Sequence, residues 1–466
     1  MKKFTKFIVC FMLCVLSICL VACDNRTPKE KDFTYPDSNA LVSGNDGLAV
    51  QKGNYIYFVN GHQSVDDMSK KNDSYTLGSL LLMKLDENGN VVRDEKELLK
   101  DEYYITMSDK LCGFEATNLF IGGDYLYFTS PCQEDEGGEG ASTSPTWAKE
   151  RVEVYRIKLN KTSSPEEVYQ SEVSHEKLEL EFYFENNKTY IVAYEKEANL
   201  DNENINNALI RVDCDAKSAT QVAKDVSSVA FGQTASEVFY VASAKNENKT
   251  TYKLNQFNVV ENKSTEFTSK DSTFKVEAVG GGNVFISQAK SGSTGLYKAS
   301  ISPKTSFNDM PEITSIDKLD KYYISEDGYC FVGIDGTKIK VKTTDGQVSK
   351  TIEDSDAEEI SFIGFVNGNI VYKDKANNVK IVNYYNYLNG TTYTIETIDK
   401  ITDANTTYFD LDNSHLYFYK KVGEHEYLHR LSLTSRYEED KTQSEMIGVY
   451  LEDDIPEVEE SETTEE

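Results

Sequence analysis

Across residues 46–450, short runs of alternating aromatic and aliphatic residues recur directly behind turn residues. The clearest is Gly122-Gly123-Asp124-Tyr125-Leu126-Tyr127-Phe128-Thr129-Ser130. Variants of it stand at Tyr55-Ile56-Tyr57-Phe58, Tyr190-Ile191-Val192-Ala193-Tyr194, Val238-Phe239-Tyr240-Val241, Asn283-Val284-Phe285-Ile286, Tyr329-Cys330-Phe331-Val332, Asn369-Ile370-Val371-Tyr372 and His415-Leu416-Tyr417-Phe418. The eight copies are spaced by about 40 to 70 residues, a period that predicts a propeller or array of several strands per unit. A second run follows in each unit, as in Val154-Tyr155-Arg156-Ile157-Lys158-Leu159, Leu209-Ile210-Arg211-Val212, Leu296-Tyr297-Lys298-Ala299 and Leu428-His429-Arg430-Leu431. Apolar residues there alternate with Lys or Arg, which predicts strands with one packed and one wet face.

The turn residues agree with this reading. Asn88-Gly89, Asp327-Gly328, Asp335-Gly336, Asp345-Gly346, Asn367-Gly368 and Asn389-Gly390 fall between the runs, and such pairs supply the positive φ angles of tight hairpins. No long stretch has helical periodicity. The second unit reads as four strands over 118–121, 125–129, 153–159 and 166–169. The predicted fold is therefore all-β, a β-propeller of four-stranded blades, eight in number, or seven if one unit is degenerate. Radial closure leaves such sheets only short, protected edges. Both ends of the domain look self-contained, so the pattern does not say which strand closes the ring.

The N-terminus changes the picture of where the protein works. Lys2, Lys3 and Lys6 precede an apolar run that ends at Leu20-Val21-Ala22-Cys23. Small residues before a Cys at the end of a signal peptide (1–22) mark a lipoprotein processing site. Cys23 is then the acylated first residue of the mature chain, held on the outer side of the cell membrane by diacylglycerol rather than by a spanning helix. Residues 23–45 read as a polar, flexible tether. The nine acidic residues of 452–466 repel one another, so 451–466 reads as a disordered acidic tail.

The whole chain has a net charge of −29; removing three Lys leaves 46 basic against 78 acidic residues, or −32. That surface repels nucleic acid, and no nucleic-acid partner is expected. The Lys-, Asn- and Tyr-rich, Trp-poor composition fits a low-GC Gram-positive source. Five Cys remain after processing, too few for a disulfide scaffold.

The Gly-Asp-Tyr-Leu-Tyr-Phe strand, followed by Leu-Tyr-Lys or Val-Tyr-Arg, resembles the repeats of DUF5050-type, six-bladed-propeller-like lipoproteins of Firmicutes. The resemblance covers roughly residues 46–450. It implies a fold and a location, and says little of activity. Long early inserts and weak repeats in units three to five depart from the pattern.

In blades with strands a to d, the b–c and d–a connections share one face of the ring. The long inserts 61–78, 131–150 and 196–207 are b–c, and 100–117 is d–a, so all four map to one face over blades one to three. Loops on a rigid scaffold commonly carry binding, and this face is the candidate surface for a protein or glycan partner, with Tyr75, Tyr103, Tyr104 and Trp147 as its aromatic residues. The same inserts also fit tolerated decoration. Cys112 and Cys132 flank the hairpin that turns near Gly123, and so are candidates for a disulfide bracing this face; two thiols are the alternative.

His425-Glu426-Tyr427-Leu428-His429 matches the zinc-protease helix motif by letter. Here it aligns with the second strand of the repeat, where residues four apart lie about 13 Å from each other and cannot share a zinc with bonds near 2 Å. Asp86-Glu87-Asn88-Gly89-Asn90 lacks the later bidentate Glu of a calcium loop. No P-loop, no G-x-S-x-G and no isolated carboxylate couple stands out. No catalytic residue, metal or cofactor is assigned. The expected role is a surface-anchored binding or scaffolding module; the rival is a glycan-active enzyme with its site at the channel mouth. Intact mass should show a mature chain beginning at diacylglyceryl-Cys23, and Cys23→Ala should move the protein out of the membrane fraction.

Overall fold

In a computed structural model, the described residues are 47–62, 77–86, 89, 91, 104–112, 118–134, 146–160, 164–198, 206–246, 249–291, 293–302, 304, 310, 312–315, 321–401, 404–434, 436–438 and 443–449; at some, among them Tyr104, Cys132 and residues 146–150, only the backbone is described. Every one of the eight sequence runs becomes the second strand of a separate antiparallel sheet. The sheets form in chain order over residues 49–111, 119–170, 178–223, 226–270, 275–315, 321–353, 360–400 and 404–446, and are blades 1 to 8. Blade 2 is typical, with strands Leu119–Gly122, Tyr125–Glu134, Thr146–Lys158 and Glu166–Gln170 paired in that order. First strands touch between blades 1 and 2, 2 and 3, 4 and 5, and 7 and 8, which puts strand a innermost and strand d outermost. The chain is an eight-bladed β-propeller.

Its core is divided into eight seams, one between each pair of blades. Successive strand residues point to opposite faces of a sheet, and in blade 2 Leu126 and Phe128 enter the seam with blade 1 while Tyr127 enters the seam with blade 3. Both faces of a blade are thereby buried, which is why Tyr55–Val59 is buried at every position. Tyrosine suits the seams because its ring fills them and its hydroxyl reaches a backbone acceptor. Tyr57 Oη donates to the Leu159 carbonyl of blade 2 at 2.9 Å, and Tyr183 Oη donates to the Gly232 carbonyl of blade 4 at 3.2 Å.

This corrects the expectation of a wet face for the third strands of blades 2, 3 and 8, whereas in blade 6 Lys338 and Lys340 alternate with buried Ile339 and Val341 as read. Arg156, Arg211 and Arg430 are buried, at 9%, 8% and 2% exposure. Each reaches forward to the c–d turn of the next blade. Arg156 Nη1 meets Asp215 Oδ1 at 2.9 Å, Arg211 Nε donates to the Val259 carbonyl, and Arg430 Nη2 donates to the Gly89 carbonyl of blade 1 at 2.9 Å. Lys298 makes the same crossing to Thr344 Oγ1 at 3.2 Å. The aliphatic stems pack in the seams and the charged ends find acceptors at their rim. The blade 6–7 seam uses a buried charge differently: Lys380 Nζ lies between Asp354 Oδ2 (2.7 Å) and Asp374 Oδ2 (3.0 Å), and Tyr372 Oη donates to Asp354 Oδ2 at 2.8 Å.

The ring closes with pieces from both ends of the domain. Outside the third strand of blade 8 (His425–Ser432), the fourth-strand position is shared. Ser444–Met446 pairs with His429–Leu431, and Gly61–His62, just past the second strand of blade 1, pairs with Glu426–Tyr427. Asn60 joins the two pieces: its Nδ2 donates to the Val449 carbonyl (3.2 Å) and its Oδ1 accepts from Val449 N–H (2.6 Å). Leu48 N–H donates to Asp410 Oδ2 at 2.9 Å. Gly61 is required by close approach, since a Cβ there would stand 2.4 Å from the Glu426 carbonyl oxygen.

Two further sequence expectations change. The segment 100–117 is not a bare insert, because Tyr104–Leu111 is the fourth strand of blade 1. Asn389-Gly390 is not a hairpin turn; it ends a short helix, Tyr384–Leu388, whose N-cap Asn383 accepts from Asn386 N–H at 2.7 Å. The remaining Gly turns behave as read, with Asn367-Gly368 at φ 47° and 75°.

Asn60→Ala should cost on the order of 2 kcal/mol in equilibrium denaturation, because it leaves both Val449 backbone groups without their buried partner. Gly61→Ala should also destabilise, and a far-UV signal that persists while the midpoint falls would locate the loss in closure rather than in strand formation.

Candidate binding face

Antiparallel order puts the b–c and d–a connections on one face of the ring. Leu48, which leads into the first strand of blade 1, stands at that face, and Val449 meets Asn60 there. Part of what reads as loop on this face is strand. In blade 2 the second and third strands continue past the sheet, pairing Cys132 with Ala148, Gln133 with Trp147 and Glu134 with Thr146 beyond a register shift at Pro131/Cys132. This hairpin rises above the first strand, which ends its pairing at Phe128. In blade 3 the second strand runs to Ala198, and Glu197 takes φ 56° at a bulge between Glu195 and Ala198.

Of the predicted face residues, Tyr75 and Tyr103 lie outside the described residues. Tyr104 opens the fourth strand of blade 1 opposite Met83, at the c–d end, and so lies on the face opposite the predicted one, because the segment before it is a c–d and not a d–a connection; Trp147 lies on the blade 2 hairpin; their side chains are not among those described. Cys112 follows the fourth strand of blade 1, is wholly buried, and packs in the blade 1–2 core with Leu80, Leu126 and Tyr155. The Cys132 side chain, and with it the predicted bridge, lies outside the described residues. Cys23 also lies outside them.

Sequence reasoning missed two buried tyrosine–glutamate pairs beneath this face. On the blade 1 side of blade 2, Tyr155 Oη donates to Glu153 Oε2. Glu167 is held above the usual carboxyl range by burial and by the charge of Glu153, and Lys110 Nζ lies 4.9 Å from the Tyr155 ring centroid. On the other side, Tyr169 Oη of blade 2 donates to Glu195 Oε1 of blade 3, and Glu172 N–H donates to the same oxygen at 3.0 Å. Glu195 has 0% exposure, and its Oε2 has no hydrogen-bond partner. Burial, the larger cause, and the nearby Glu172 charge raise its pKa, against the Tyr169 and Glu172 N–H bonds. In the sequence these Glu residues alternate with apolar ones and look like solvent-facing strand positions. A second missed group lies on the opposite face, where Tyr385 is 47% exposed and its ring centroid is 5.2 Å from that of Tyr329. The Tyr384-Tyr385-Asn386-Tyr387 run breaks period two and was the available signal.

His425 and His429 lie on one strand, opposite Val422 and Phe418, and the buried His429 ring stacks on Phe418 at 5.9 Å. That extended backbone removes the helical spacing a zinc-protease site needs. Among the described residues no group of three His, Cys, Asp or Glu is placed to hold a metal ion.

No family model matches the chain, and no curated protein matches it. Solved structures with similar shape include the β-propeller domain of the trilobed protease from Pyrococcus furiosus, at 10% identity, 71% of this chain, 97% of that chain and a TM-score of 0.42. Others are Porphyromonas gingivalis dipeptidyl peptidase 4 (12%, 88%, 61%, 0.45) and Pyrococcus horikoshii acylaminoacyl peptidase (12%, 71%, 52%, 0.42). The chain spans 40% of the prolyl endopeptidase chain and 52% of the acylaminoacyl peptidase chain it matches. The assignment as a propeller rests on this chain's own strand pairing.

Cys214 and Cys330 are buried thiols in blades 3 and 6, and burial raises both pKa values. Both should therefore resist a thiol reagent at pH 8 and react on unfolding. In the same titration, a loss of two reactive groups in unfolded, unreduced protein, restored by reductant, would establish a Cys112–Cys132 bridge.

Proposed function

We propose that this chain is a lipid-anchored, extracytoplasmic β-propeller that acts as a binding or scaffolding module through the face carrying the inserts of blades 1 to 3. The observation that carries the reading is the blade 2 hairpin, which extends beyond its sheet at Cys132–Ala148 and Glu134–Thr146 on the face that the b–c connections of blades 1 and 3 share. Backbone committed to strand pairing above a ring of fixed blades is a preorganised projection, and preorganisation lowers the cost of association. The resemblance of the repeats to lipoprotein propellers of Firmicutes supports the membrane location. The buried carboxylates beneath the face support binding over turnover, because Glu153 and Glu195 are taken up by tyrosine hydroxyls inside seams.

Residues 23–46 reach at most about 80 Å when extended, so the anchor leaves the insert face room to meet a protein or glycan at the cell envelope. The test is a cross-linked pull-down from solubilised membranes with the intact anchor. Replacing residues 135–145 by Asn-Gly should keep the thermal midpoint and lose the partners that the wild type captures. Unchanged capture, or turnover of an envelope glycan by wild type and variant alike, would reject this reading.

A further inference from the structure

We infer that the junction between blades 2 and 3 is a proton-gated seam at the insert face, with the Glu195 carboxyl as its gate. Among the described residues the blades meet there through the side-chain bond of Tyr169 to Glu195 and through Glu172 N–H on the same carboxyl oxygen. The second oxygen, Oε2, is buried without a hydrogen bond. A neutral acid tolerates that site; a carboxylate leaves charge in low dielectric with one oxygen unmet, which is costly. The charges around it do not neutralise it. From blade 2, Glu172 adds a second negative charge, and Arg151 lies 3.7 Å from Glu172. From blade 3, Lys196 pairs with Glu179 and Lys177 with Glu197, so both local cations are engaged elsewhere.

The gate is joined to an irregular stretch of strand. Glu195 opens the bulge that ends at Ala198, and within it Glu197 holds a left-handed φ of 56°. Non-glycine residues persist there only when their surroundings hold them. A burial-raised acid contributes nothing below its unfolded pKa, where both states are protonated, and destabilises the folded seam increasingly as pH rises through the folded pKa. Loss of the proton therefore loosens the second strand of blade 3 at its insert-face end. This gate does not depend on what the face binds.

Hydrogen exchange of residues 188–198 and 166–173, corrected for the intrinsic pH dependence, tests it. Wild-type protection should fall from acid to neutral pH, by about tenfold for each unit by which the folded pKa exceeds the unfolded one. Glu195→Gln, nearly isosteric, should show no such fall. Glu172→Gln removes the neighbouring charge and should make the fall smaller and end it at lower pH, which keeps the test decisive if the first variant does not fold. Identical profiles for wild type and Glu195→Gln would overturn the inference. So would full restoration of neutral-pH protection by calcium alone in wild type but not in Glu195→Gln, which would make Oε2 a cation ligand.

Discussion

The second strand of a blade in this ring has no face of its own to give to water. It is buried on both sides, and what covers it is the neighbouring sheets. Stability is therefore a property of junctions, and a chain of eight blades needs an eighth junction to cover the outer sides of the first and last. The seam that does so packs Ile56, Phe58 and Met83 of blade 1 against Tyr417, Tyr419 and Leu428 of blade 8. Burial of aromatic side chains on this scale is the largest favourable contribution available to the fold.

Seams of alternating aromatic and aliphatic residues are slippery in register, because the apolar effect has no direction. The crossings by Arg156, Arg211, Lys298 and Arg430 supply direction. Each ties a strand to the turn of the following blade, and the Arg430 crossing to Gly89 continues the pattern across the closing seam. A buried charge is weak evidence of net stability, and its better attested use is to specify one arrangement among several. In this ring it would specify how far one blade is rotated against the next.

The strands were legible because period two is local, and so were the blade count and most turns, where Gly and Asn announce positive φ. What the sequence concealed is non-local. The alternating Arg and Lys have the same pattern whether they face water or a neighbouring turn, and the acceptors lie 59, 48, 46 and 341 residues away. Two of them are backbone carbonyls, which carry no signature. The same holds for Glu195, whose partner Tyr169 is in another blade, and for Gly61-His62, too short a strand to be seen without Glu426-Tyr427 beside it. Segment 100–117 looked like an insert because the fourth strand of blade 1, Tyr104–Leu111, meets its partner across a large register shift between Ser79 and Leu81.

The hydrogen bonds between Asn60 and Val449 span 389 positions of the chain. Hairpins within a blade can form as soon as their residues are present, whereas this joint must wait for nearly the whole polypeptide. Contacts of such long range are the slow ones in folding. Until the joint forms, the aromatic sides of the two terminal sheets stay open to solvent and to other chains. The last act of folding is then to bring the two ends of the propeller together.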